Sequence, residues 1–262
     1  MVSSATIMAM GFTALVSLIL PIALSAYLCV SKKLDWRPLL TGLSVFSATQ
    51  VFFRMPLLNA FSETKLYAGL PLWVLGVILA LSAALLENWG RYLGARFFAK
   101  GCSSYRDGVA YGLGHGGVEA FIVMGMNSFN NLYLALSVNS GRFEEMVASA
   151  TPEQAAAVRS VLTETPAVEF LLGGVERVMV MIIQIALSIV VFYAIRTGRK
   201  SYVWAAVGAH FLVDFPIVLL QNGSVWVAEG FIALCAAAAV IVIVKMKSVF
   251  AKTPAAPSPA GR

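Results

Sequence analysis

The chain has only two histidines, His115 and His210, and each is followed four residues later by a carboxylate, Glu119 and Asp214 respectively. A third pair with the same spacing, Glu87 and Arg91, closes another apolar stretch. Residues four apart on a helix share a face, about one turn from each other. An ionisable side chain inside a membrane-spanning helix costs about 2.5–3.5 kcal/mol on insertion scales, so each one retained there is a candidate for function.

These groups suit hydrolysis without a Ser or Cys nucleophile. A carboxylate in an apolar cavity holds a proton more tightly than it does in water, so it can take one from water near neutrality. Glu87 is a candidate base, with Arg91 to orient it, and Glu119 is the competing candidate. Either histidine can hold the attacking water or donate to the oxyanion that develops on a carbonyl. Asp214 can orient His210 and select its tautomer. His115, Glu119, His210 and Asp214 also make a ligand set for a catalytic Zn²⁺ with a place for water. No His-Glu-x-x-His run supports that second reading, so a cofactor-free site is favoured and Zn²⁺ is the alternative.

The elements that must position these residues follow from composition. Apolar residues make up 59% of the chain and charged ones 12%, too little polar surface to coat a soluble globule. Apolar runs near membrane-spanning length predict an all-α polytopic transmembrane bundle over 1–250, with about seven spans: 6–30, 38–60, 67–90, 108–136, 168–195, 202–221 and 225–246. A disordered cytoplasmic tail is expected over 251–262.

The formal charge of +6 is not gathered in one patch. Lys32, Lys33 and Arg37, then Arg96, Lys100 and Arg106, then Arg196, Arg199 and Lys200, then Lys245, Lys247, Lys252 and Arg262 fall in every second gap between apolar runs. That distribution predicts an outside N-terminus and a cytoplasmic C-terminus, and it excludes nucleic acid as a partner. No basic residue precedes the first run, which is therefore a span and not a cleaved signal peptide. Cys29, Cys102 and Cys235 imply no disulfide framework.

With this orientation, counting inward at about 1.5 Å per residue puts His115 and His210 roughly 10–12 Å from the cytoplasmic ends of their helices. Glu87 reaches a similar level if its helix continues through Trp89 and Tyr92 to Phe97. The three pairs are thus expected to meet in one cavity open to the cytoplasm. Arg54 and Glu176 are expected to form a structural ion pair at the outer level. Gly112, Gly114, Gly116 and Gly117 either let a neighbouring backbone approach His115 closely or leave room for a substrate backbone. Their Gly-x-Gly-x-x-Gly spacing lacks the strand–helix unit of a dinucleotide site. In the connection 139–167, Thr151-Pro152-Glu153-Gln154 signals the start of a short helix. Val158, Val161 and Leu162 share its face, as in an interfacial connector.

Glu87-x-x-x-Arg91, Gly-Leu-Gly-His115-Gly-Gly-Val-Glu119 and His210-x-x-x-Asp214, in that order on successive apolar helices, resemble the YhfC-type intramembrane proteases, relatives of the CAAX-protease and bacteriocin-processing family. The resemblance runs from the third to the sixth span. It implies peptide hydrolysis inside the membrane by water activated by Glu87 with His115 and His210. The expected setting is a prokaryotic plasma membrane, and the expected partners are membrane lipid and a membrane-associated or lipid-modified peptide substrate. The wider family carries paired glutamates before the arginine, whereas here Glu87 stands beside Asn88. Either Glu87 works alone, Glu119 takes the base role, or activity is reduced. A proton-coupled transporter and a non-catalytic scaffold are the competing classes; the first lacks inverted repeats here, and Asn88 is the feature that favours the second.

Overall fold

The computed structural model describes residues 1–31, 33–220 and 223–254, and every regular element among them is a helix. In chain order these are α1 (Ser4–Val30), α2 (36–62), α3 (Lys65–Gly69), α4 (Leu72–Phe98), α5 (Tyr105–Asn139), α6 (Phe143–Met146), α7 (Pro152–Glu164), α8 (Ala167–Thr197), α9 (Ser201–Leu220) and α10 (Val225–Lys252). α1, α2 and α5 each contain a π-helical segment, Leu15–Ile19, Ser47–Arg54 and Phe121–Gly125.

Among the described residues six of these helices, α1, α4, α5, α8, α9 and α10, are long and apolar enough to cross a membrane, where about seven spans were expected. The exception is α2. It is continuous over 36–62, but Ser44, Ser47, Thr49, Gln50 and Arg54 break its apolar run. Those polar groups are turned inward in part: Gln50 is 2% exposed and hydrogen-bonds Arg54. Elsewhere large apolar side chains such as Phe52, Trp73, Leu212 and Leu234 lie on the outer surface, the pattern of a bundle whose solvent is lipid and whose backbone groups are satisfied within helices.

Some boundaries move for local reasons. The third span starts at Leu72 rather than 67, because Pro71 caps α4 and the preceding residues form the separate turn α3. At its other end α4 runs on to Phe98, as expected. α10 continues to Lys252, past the expected boundary at 250, and the tail over 255–262 lies outside the described residues.

The chain forms two compact units. One comprises Met1–Ala23 and Glu119–Val178. Its core joins Val2, Met10, Ala135, Phe143 and Leu162, with Val158 packed against them. α7 begins with the expected capping box: the Thr151 hydroxyl accepts from Gln154 N at 3.3 Å, and Gln154 Oε1 accepts from Thr151 N at 3.0 Å. Two residues of its apolar face, Val158 and Leu162, dock on the unit's own core, while Val161 is exposed.

The other unit comprises Leu24–Val118 and the chain from Met179 onward. Here α4 lies along α9 and α2. One apolar cluster gathers Tyr92, Leu187, Val191, Val203 and Ile232, and a second gathers Ala95, Tyr111, Ile189, Phe192 and Phe250. The α5 glycines make close helix contacts. A Cβ on Gly112 would lie 2.5 Å from Ile185 Cα, and one on Gly114 would strike the Leu39 carbonyl. In return, a Cβ on Gly42 would strike the Tyr111 carbonyl. The space beside these glycines is filled by the backbones of α2 and α8, so it does not hold a substrate backbone, the other use expected of it.

Candidate active site

The polar side chains of this second unit converge from four helices. α4 supplies Glu87, Asn88 and Arg91 within one turn, α5 supplies His115, α8 supplies Gln184, and α9 supplies His210 and Asp214. Glu87, Asn88, Arg91, His115, Gln184 and His210 are all buried. The tight α5 contacts seat His115, whose ring meets Phe46 edge-on at 5.0 Å and stacks near Tyr111.

Glu87 Oε2 is the focus of the network. It lies 3.0 Å from His115 Nε2 and accepts from Arg91 Nη2 at 3.1 Å and from Gln184 Nε2 at 3.5 Å. His210 Nδ1 stands 3.8 Å away, beyond a direct hydrogen bond but within reach of a bridging water. Arg91 Nη2 also lies 2.8 Å from His115 Nε2 and donates to Gln184 Oε1, while Nη1 donates to Asn88 Oδ1 at 2.7 Å. One guanidinium and one carboxylate thus balance each other in a buried setting, where losing either would leave the other uncompensated.

The proton on His115 has two resting places. With it on Nε2, His115 donates to Glu87; with it on Nδ1, Nε2 accepts from Arg91. Nε2 cannot do both. His115 Nδ1 makes no hydrogen bond among the described residues, so nothing on that side of the ring fixes the choice. On α9, His210 Nε2 lies 3.3 Å from Asp214 Oδ2. Side-chain exposure rises from none at Arg91 to 7% at Glu87 and 33% at Asp214, so the network is most open at its Asp214 end.

Glu87, Arg91, His115, His210 and Asp214 are therefore brought together as their spacing suggested. Glu119, one turn past His115 on α5, is half-buried and falls in the other unit; its candidacy rests on its position in the sequence. Arg54 and Glu176, expected to pair, fall in different units, and each has partners within its own. Arg54 donates to Ser82 Oγ at 3.0 Å, Gln50 Oε1 at 3.1 Å and the Leu79 carbonyl at 2.6 Å. Glu176 pairs instead with its neighbour Arg177. The physical reason is proximity along the chain and the adjacent helix: each group finds polar partners inside its own unit.

Gln184 was not singled out from the sequence. Its one signal is that it is the only amide in α8, between Arg177 and Arg196. Asn88, read from the sequence only as a departure from a pattern, is wholly buried and hydrogen-bonded to both Arg91 and the His210 ring.

The model of the YhfC intramembrane metalloprotease family matches residues 16–233. The chain belongs to that family. It is also 39% identical, over 184 residues covering 69% of this chain and 71% of the relative, to the uncharacterized membrane protein YhfC of Bacillus subtilis (strain 168). No solved structure matches it. Membership and the six apolar helices make this YhfC-family chain an integral membrane protein of a family named for intramembrane proteolysis.

The family name raises the question of metal, and the donor set can be tested for it. Zn²⁺ needs three or four N, O or S donors at about 2.0–2.3 Å from one point. Among the described residues no three His, Cys, Asp or Glu side chains are grouped in that way. The cation facing both His115 Nε2 and Glu87 Oε2 is the Arg91 guanidinium, whose charge would repel a divalent ion at those atoms. In this arrangement the YhfC-family site does not fit a bound metal.

Proposed function

We propose that this YhfC-family protein is an intramembrane endopeptidase in which Glu87 activates water for attack on a peptide carbonyl. The observation that carries the reading is the convergence on Glu87 Oε2, with His115 at 3.0 Å, Arg91 at 3.1 Å and His210 at 3.8 Å. These contacts all end on Oε2, and Oε1 is the oxygen that accepts the water's proton. Arg91 and Gln184 hold the carboxylate in place, and His115 shares the proton that Glu87 acquires. His210 faces the more open Asp214 end, where a substrate carbonyl approaches and an N–H donor stabilises the developing oxyanion. Collapse of the tetrahedral species returns the proton from Glu87 to the departing amine, which completes hydrolysis.

The level of the site inside the bundle suits a membrane-associated or lipid-modified peptide in a prokaryotic plasma membrane. With the N-terminus outside and the C-terminus in the cytoplasm, water reaches the site from the cytoplasmic side. The family's name favours a second reading, in which the same side chains rearrange around Zn²⁺.

Purified protein cleaving a membrane reporter peptide tests both. Glu87→Ala and His115→Ala are expected to lower cleavage by roughly 10²–10⁴-fold, the usual range for a positioned acid or base, and Glu119→Ala to leave most of it. Undiminished cleavage in all three variants overturns the proposal. Cleavage that survives exhaustive chelation favours water activated by Glu87. Loss on chelation with recovery on adding Zn²⁺ favours the metal reading.

A further inference from the structure

The wholly buried Asn88 makes three contacts whose donor and acceptor roles are fixed by chemistry. Its Oδ1 faces Arg91 Nη1 at 2.7 Å, and a guanidinium can only donate. Its Nδ2 faces the Ala84 carbonyl at 2.8 Å, and a carbonyl can only accept. The amide therefore cannot be flipped without facing donor to donor and acceptor to acceptor. The second proton on Nδ2 points to His210 Nδ1 at 3.2 Å, so that nitrogen must be the acceptor. A neutral imidazole with its lone pair on Nδ1 carries its proton on Nε2. Nε2 in turn faces Asp214 Oδ2 at 3.3 Å. The hydrogen bonds run in one direction, from Arg91 through Asn88 to His210, the arrangement in which neighbouring bonds polarise one another, and the His210 Nε2–H then lies beside Asp214.

We propose that Asn88 is a positioning residue that locks His210 in the Nε2–H tautomer, so that this histidine presents a proton, not a lone pair, toward the open Asp214 end of the site. On this assignment Asn88 is no remnant of a lost glutamate. A carboxylate at 88 would set an acceptor against His210 Nδ1, draw a proton onto it and remove the distinction between the two ring nitrogens. The consequence for chemistry, which rests on the peptidase reading, is that a substrate carbonyl displaces Asp214 from beside the His210 Nε2–H, which then serves as the oxyanion donor while Glu87 and His115 handle the proton from water.

The tautomer can be observed without any assay of cleavage. With two histidines in the chain, full-length protein labelled with ¹⁵N-histidine in lipid nanodiscs gives two ring systems, and His210→Gln identifies the one belonging to His210. Wild type is expected to show His210 protonated on Nε2 and bare on Nδ1. In Asn88→Ala the Nδ1–H form should appear, and in the near-isosteric Asn88→Asp Nδ1 should be protonated, with the His115 signals marking a preserved fold. Cleavage by Asn88→Ala should fall roughly 10²-fold in kcat with KM little changed, the scale of loss from a misplaced group. Wild-type His210 protonated on Nδ1, or a wild-type pattern retained in Asn88→Ala, overturns the proposal. The expected tautomers in a protein that cleaves no peptide would uphold the role of Asn88 and overturn only the peptidase reading.

Discussion

Two arginines on neighbouring helices of the same unit have opposite fates. Arg91 on α4 is wholly buried and meets a carboxylate, an imidazole and two amides. Arg54 on α2 is partly exposed and meets an amide, a hydroxyl and a backbone carbonyl, all neutral. Burial of charge in a low-dielectric setting is tolerated where an opposite charge and full hydrogen bonding accompany it. Arg91 satisfies that condition and Arg54 does not, which separates an arginine built into a site from one that braces a helix contact. A side chain's depth in the membrane is thus a weaker guide to function than the charge and directionality of its partners.

The sharpest way to break this contrast is to remove Arg91 while keeping its bulk. Arg91→Met strands the Glu87 carboxylate beside His115, and breaking a buried pair from one side costs about 3–5 kcal/mol. Unfolding of the purified protein in mixed micelles should show that loss, and Glu87→Gln in the same chain should recover a large part of it. Equal losses from Arg91→Met in the wild-type and Glu87→Gln backgrounds would mean that Arg91 and Glu87 are not energetically coupled. A smaller effect is expected at Gln184, which accepts from Arg91 and donates to Glu87 across 3.5 Å. Gln184→Leu should cost about 1–3 kcal/mol, the price of leaving buried polar groups short of a partner, and should slow cleavage less than Glu87→Ala does. A Gln184→Leu protein as impaired as Arg91→Met would place the amide on a level with the charges.

How much of this was legible in the sequence depended on whether the determining contacts were local. The Glu87–Arg91 and His210–Asp214 contacts follow the i, i+4 spacing because a helix alone sets their geometry, and the Thr151 capping box read correctly for the same reason. The glycines around His115 announced close packing but not what would fill the space, since Leu39 and Ile185 approach from other helices. α2 read as an apolar span because its polar residues are interspersed, and only the packed structure shows Arg54 bonded to α4 and to Gln50 Oε1 within α2. Asn88 and Gln184 carry no charge, so nothing local marks them: Asn88 stood out only as a departure from a pattern and Gln184 not at all, although both hydrogen-bond the charged groups.

The smallest effect is expected at Arg54, where the opposing contributions nearly cancel. Replacing it with Met removes three hydrogen bonds, each worth roughly 1 kcal/mol net. It also removes a partly buried charge that faces only neutral partners, whose desolvation costs on the order of a few kcal/mol. Ser82 keeps a partner, since its hydroxyl also donates to the Leu79 carbonyl at 3.1 Å. Arg54→Met should therefore shift stability by no more than about 1 kcal/mol in either direction and leave cleavage of a reporter peptide close to wild type. The same micelle unfolding and cleavage measurements decide it. A loss comparable to that of Arg91→Met, or a collapse of cleavage with the fold intact, would show that Arg54 acts on the site at a distance and that the contrast between the two arginines is one of degree.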